Sequence, residues 1–200
     1  MTRRLILTLQ QAVLNGKSLP VEASESEMLV QLYRTYVGDY PKFFKMDSLC
    51  RLGFVAAEIL LRDEVEGAVE ERVAYGTAQR AVLLFGKHGC LATDIRFQST
   101  IQDEGNYFPS PAIFVYTLPN IVTGEIAIRN KYYGETNFIQ IETPDTDVMT
   151  RAVASLAMDG ETESVLTGWI DAIDENRFEA RMGIVDIHQD IEKQIKEIII

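Results

Sequence analysis

The side chains suited to covalent or acid–base chemistry are few and scattered. There are two histidines, His88 and His188, and two cysteines, Cys50 and Cys90. Cys90 follows Gly89 and stands two residues from His88. That spacing admits a reactive thiol, because the thiolate is the nucleophile and a nearby imidazole favours it. The same place at a turn also suits a small buried apolar residue. Cys50 falls inside an apolar stripe and reads as core. The two histidines lie a hundred residues apart, and neither has a second ligand close by in sequence. A metal site would need both of them gathered with carboxylates, so no metal is expected, and His188 reads as exposed. P-loop, G-x-G-x-x-G, G-x-S-x-G and H-E-x-x-H patterns are all missing from the sequence. No cofactor is expected.

The elements that must position these groups follow from periodicity and turn chemistry. Arg4 to Leu14 reads as a strand, closed by the turn pair Asn15-Gly16. Ser24-Glu25-Ser26-Glu27 carries a capping-box spacing ahead of Met28, Leu29, Leu32 and Tyr36, which recur as on a helix. Asp47 predicts the cap of a second helix, Ser48 to Arg62, with Leu49, Leu52, Ala56 and Ile59 along its stripe. Asp63 to Arg72 reads as a charged loop. Ala81-Val82-Leu83-Leu84-Phe85 is apolar throughout, as in a strand buried on both faces, and Gly86-Lys87-His88-Gly89 ends it.

Further helices are predicted over Thr93 to Ile101, and from Thr117-Pro119 towards Lys131. Gln102 to Pro111 reads as loop between them. Phe138 to Ile141 reads as a short strand. Thr143-Pro144 then supplies a cap residue with Pro at the first helical position, for a helix as far as Met158. Ser164 to Ile173 and Phe178 to Val185 read as paired strands, and Asp186 to Ile200 as a helix with Ile187, Ile191, Ile195 and Ile198 in one stripe. The expectation is one α/β domain over residues 1–200, a mixed, mostly parallel sheet with helices on both faces, ending in a helix at about 186–200.

Composition sets the outer limits. A chain of 200 residues, 46% hydrophobic and 24% charged, has the balance of an ordinary globular domain. Its net charge of −11 disfavours nucleic acid and anionic membrane as partners. No apolar run approaches the ~20 residues of a membrane span. The N-terminal segment lacks a secretory apolar stretch and the cysteines are two, so the expected setting is the cytoplasm.

Four segments carry a family resemblance, in order. Lys45-Met46-Asp47-Ser48-Leu49-Cys50-Arg51-Leu52-Gly53-Phe54-Val55-Ala56-Ala57-Glu58 resembles the first helix of the β-ketoacyl-acyl-carrier-protein synthases. Ser110 to Arg129, with Leu118-Pro119-Asn120 leading into Gly124 and Ile126-Ala127-Ile128, is similar to the segment before that family's active site. Gly134-Glu135-Thr136-Asn137 matches the turn that follows, and Val165 to Ala172 the strand that closes the family's first half. The set is most similar to short ketosynthase-like proteins of bacterial aryl-polyene and flexirubin-type pathways.

This resemblance implies a thiolase-like half. Complete members carry a nucleophilic cysteine at a buried helix N-terminus in the first half and two histidines in the second. They load acyl chains from a carrier protein and condense them with a decarboxylated malonyl unit. The resemblance places the nucleophile position at or beside Thr143, where the sequence is Ile141-Glu142-Thr143-Pro144-Asp145-Thr146-Asp147, without a cysteine. A hydroxyl needs a base to attack, and Glu142, Asp145 and Asp147 would oppose a developing oxyanion there.

Three functions remain open on these grounds. One is a non-catalytic subunit of the chain-length-factor kind in fatty acid or polyketide-type biosynthesis. The second is an acyltransferase or hydrolase using Thr143 or Cys90, and the third an acyl-binding module. The expected partners are a second copy of the chain, a complete ketosynthase, or an acyl carrier protein. Arg72, Arg80, Lys87 and Arg129 are the candidate basic residues for docking an acidic carrier. The apolar face of the helix after Thr143 is expected to be covered by such a partner, or by the C-terminal isoleucine stripe folding back.

Overall fold

The computed structural model describes residues 2–21, 27–62 and 79–200. The capping-box segment Ser24–Ser26, the charged loop Asp63–Arg72 and Arg72 itself lie outside the described residues. Strand β1 (Arg4–Thr8) buries Leu5 and Leu7 on one face, as alternation requires. The chain then reverses within Leu9–Gln11, with Thr8 N donating to Gln11 O at 2.9 Å, so β2 (Ala12–Leu14) pairs back on β1. The single strand expected over 4–14 is therefore a hairpin. Asn15 and Gly16 both take positive φ, 52° and 81°, and turn β2 into the short β3 (Lys17–Ser18).

Helix α1 (Met28–Tyr36) precedes α2 (Ser48–Arg62). Asp47 caps α2 as the sequence predicts, its Oδ1 accepting from Cys50 N at 2.9 Å. Strand β4 (Arg80–Gly86) is buried along its whole length. Then come α3 (Leu91–Gln98), the short α4 (Pro111–Phe114) and α5 (Ile121–Asn130). Strand β5 (Thr136–Gln140) leads to α6 (Thr146–Leu156), and β6 (Ser164–Asp174) turns at Glu175-Asn176 into β7 (Arg177–Asp186). Helix α7 (Ile191–Ile199) starts later than expected, because Asp190 is its cap and accepts from Lys193 N at 3.0 Å.

The seven strands form one mixed sheet in the order β3-β2-β1-β7-β6-β4-β5. Parallel pairing is confined to β4 with its neighbours β5 and β6; the other four pairings are antiparallel. The sheet is thus mixed as expected but not mostly parallel. The reason is connection length: strands joined by tight turns can only pair antiparallel, and parallel pairs need a crossover.

Helices cover both faces. On one, α1, α2 and α5 pack on Leu5, Leu7, Val82, Leu84, Leu166 and Ile170. Gly53 lets α2 come close there, since a Cβ would lie 2.5 Å from Val122 and 2.9 Å from Ile170. The buried carboxylates of this layer are partnered, as burial demands: Glu58 by Asn130 and Arg129, Glu125 by Lys42 and the Tyr40 hydroxyl. On the other face, Met149, Val153 and Leu156 of α6 and Ile195, Ile198 and Ile199 of α7 enclose Ala81, Leu83, Phe85, Val165 and Trp169. Among the described residues, no single helix is long and apolar enough to cross a membrane.

Candidate functional site

The carboxyl ends of β4, β5 and β6 bring together the groups that could do chemistry. This is where ligands bind in sheets with parallel strands. Lys87 to Cys90 leave β4, Gln140 to Thr143 leave β5, and Asp171 stands near the end of β6. Asp171 Oδ1 accepts from the backbone N–H of His88 at 2.9 Å and of Lys87 at 3.2 Å, and Oδ2 lies 2.7 Å from His88 Nδ1. Lys87 pairs with Glu142, tying the turn after β4 to the bend after β5. Gly89 has φ 54°, and a Cβ there would sit 2.8 Å from Gln140 Nε2, which donates to Lys87 O at 3.3 Å. The turn is therefore a fixed one. A shallow pocket of about 320 Å³ adjoins Asp171, with Thr8, Gln10, Arg177 and Glu179 among its walls. A larger groove of about 590 Å³ lies on the outer side of α7, lined by Lys193, Lys196, Glu192 and Glu197, and holds no nucleophile or imidazole.

Thr143 lies exposed on the bend between β5 and α6. Its hydroxyl meets no base among the described residues. Its carbonyl accepts from Asp145 N at 2.8 Å, and the cap of α6 is Asp145 rather than Thr143. Asp145 Oδ1 accepts from Asp147 N at 2.9 Å and Val148 N at 3.0 Å, so Pro144 precedes the helix instead of opening it. Asp caps as well as Thr does, and Pro144 keeps Thr143 extended.

Cys90 is 6% exposed, at the start of α3. Burial pushes its thiol up, and the Asp47 carboxylate, to which it donates, pushes it further. Cys50 is pushed well up by burial first and by Asp47 next. A thiolate is disfavoured at both, which is how structural rather than nucleophilic cysteines behave. Burial also raises Asp47 above the usual carboxylate range, against the pull of its bonds from Cys50 N and Thr93. His188 is exposed and pairs with Glu163 at 2.8 Å. Of the described basic candidates, Lys87 is paired with Glu142, Arg129 bonds Asp39 and Glu58, and buried Arg80 bonds Ser164 and Tyr132, so each is already engaged. No group of three His, Cys, Asp or Glu among the described residues is placed to hold a metal.

Two surfaces complete the picture. The α6 face is covered by α7, whose end is tied down where Arg4 donates to Glu197 O and Arg181 to Ile199 O. The isoleucine stripe thus folds back, and a second copy finds no free face on α6. Elsewhere, seven of the thirteen large apolar side chains exposed among the described residues fall between Leu91 and Leu118. Helix α3 buries only Thr93, and α4 buries nothing. The patch comes near the end of β5, since a Cβ on Gly89 would sit 2.8 Å from Gln140 and 3.4 Å from Pro119, the residue after Leu118. β5 is a sheet edge with no charged residue or Pro to blunt it.

Comparison with solved structures decides the fold. The ishigamide ketosynthase/chain length factor superposes with a TM-score of 0.64 at 14% identity, covering 93% of this chain and 61% of that one. The chain has a ketosynthase fold. The ketosynthase ApeO in complex with its chain length factor ApeC, from Xenorhabdus doucetiae, superposes at 0.55 with 15% identity, covering 93% of this chain and 79% of that one. This ketosynthase-like chain spans less than two thirds of the length of the ishigamide protein. No family profile matches its sequence, and no curated protein does.

Sequence reasoning missed the His88–Asp171 pair and the patch. The pair is separated by 83 residues and joined only by the β4–β6 pairing. The patch had a visible signal, the run of Tyr107, Phe108, Phe114, Val115 and Leu118 in a stretch with little helical period.

Proposed function

We propose that this chain is a ketosynthase-like subunit of polyketide-type acyl assembly that carries out no condensation itself and works paired with a complete ketosynthase. The reading rests on Thr143, which the family resemblance puts at or beside the nucleophile position: it is an exposed hydroxyl that meets no base among the described residues, in a chain with a ketosynthase fold. Neither cysteine is disposed to replace it, because both thiols are buried beside Asp47. A ketosynthase bound to a chain length factor, as in the ApeO–ApeC pair, gives the form of the assembly.

The edge of β5, with no strand beside it among the described residues, and the apolar side chains of Leu91–Leu118 are the surface we assign to the partner. An open edge and a contiguous apolar area are each costly to leave in water, and a neighbouring chain resolves both. The acyl carrier protein is assigned to the partner's surface, since Lys87, Arg80 and Arg129 are already engaged here. Free, buried cysteines suit the reducing cytoplasm.

Co-expression with a ketosynthase from the same organism tests this. The expected result is a stable complex of one copy of each chain, lost in the double variant Ile95→Lys, Phe108→Ser, whose folding is unaffected because both residues are exposed. A folded chain that never co-purifies with a ketosynthase, or that assembles only with itself, overturns the reading.

A further inference from the structure

The geometry points to a second activity at the strand ends: His88, oriented by Asp171, is a general base that activates water against a small acyl ester or thioester. This does not rest on pairing with a ketosynthase. A turn needs only one carboxylate oxygen to hold it, and Asp171 Oδ1 does that through the N–H groups of Lys87 and His88. Oδ2 is left to the imidazole at 2.7 Å, so that Nδ1–H donates to the Asp171 carboxylate and Nε2 is left as an acceptor. Nε2 has no protein partner among the described residues, and the side chain is partly exposed. The shallow pocket of about 320 Å³ on the Asp171 side of the pair, lined also by Ile173 and Phe178, is of a size for a short acyl chain. Gly89 and Cys90, the next two residues of the same turn, donate their N–H groups to no acceptor among the described residues. Lys87, the residue before His88, is paired with Glu142, and Arg177 and Glu179 stand in the pocket wall with Asp171.

In the step itself, Nε2 takes a proton from water as the water oxygen bonds to the carbonyl carbon. The tetrahedral oxyanion collapses, the C–S bond breaks, and the imidazolium returns the proton to the departing thiolate. Carboxylic acid and thiol leave, with no oxidant or metal involved. His88 is the catalytic residue and Asp171 a positioning residue.

The test uses the purified chain alone with acetyl and hexanoyl thioesters of N-acetylcysteamine, reading thiol release. Release above the buffer rate is expected. His88→Ala is expected to lower it ~100-fold, with partial rescue by added imidazole. Asp171→Asn, which can still hold the turn but reverses the tautomer, should lower the rate while the melting temperature holds. Wild-type release no faster than buffer, or His88→Ala and His88→Gln variants that are folded and as fast as wild type, overturns the proposal. Neither result touches the ketosynthase pairing, which is read by co-purification.

Discussion

Replacing Ile198 by Ala tests whether α7 seals the face of the sheet that it shares with α6. Ile198 is 0% exposed and lies over Gly183, where a Cβ would sit 2.4 Å from its Cγ1. The substitution deletes three carbons. At ~0.8 kcal/mol per buried carbon the transfer loss is about 2.4 kcal/mol, and the cavity raises the total to about 3–4 kcal/mol. Collapse around the site is restricted, because Arg4 and Arg181 fix the end of α7. For a domain of this size the melting temperature should fall by about 10 °C. Urea unfolding followed by circular dichroism gives the free energy directly, with Ile200→Ala as the control, since Ile200 is 83% exposed two residues away. The control is expected to stay within ~0.5 kcal/mol of wild type. If Ile198→Ala costs no more than Ile200→Ala, α7 does not hold that face.

Other outcomes follow from the buried titratable groups. Asp47 is raised above its ordinary value in the folded state, so the stability it contributes is present at low pH and lost as pH rises through its folded pKa. The stability difference between wild type and Asp47→Asn should therefore move in favour of Asn as pH rises from about 4 to neutrality, Asn still accepting from Cys50 N; a difference that is flat with pH contradicts the burial argument. Cys50 and Cys90 should resist iodoacetamide at pH 8 in the folded chain and react in urea, as thiols held up by burial do. Glu125→Ala should cost about 1–3 kcal/mol in chemical unfolding, because it takes the acceptor from the part-buried Tyr40 hydroxyl, which burial and Glu125 push up to about 12, while the half-exposed Lys42 ammonium stays solvated.

The elements most legible in the sequence are those with one dominant local cause. β4 is apolar at every position from Ala81 to Phe85, and Asp47 stands alone as a cap for α2, so both form where expected. The start of α6 was expected at Thr143, and Asp145, nearer the helix, caps it instead. The break at Leu9–Gln11 carries no Gly, Pro or Asn, so nothing in composition marks the hairpin. Sheet direction was misjudged because the buried run of β4 signals parallel neighbours only for itself, while β1, β2, β3 and β7 add antiparallel. The candidate site was least legible. His88 and Asp171 carry no local signature, and their meeting depends on Arg80–Phe85 lying beside Ser164–Trp169.

The most direct measurement of the central claim is intact mass of the co-purified complex after incubation with an acyl-carrier thioester. The account predicts an acyl adduct on the ketosynthase chain and an unmodified mass for this one, with Thr143→Ala indistinguishable from wild type. A stable acyl adduct on this chain, lost in Thr143→Ala, would contradict it.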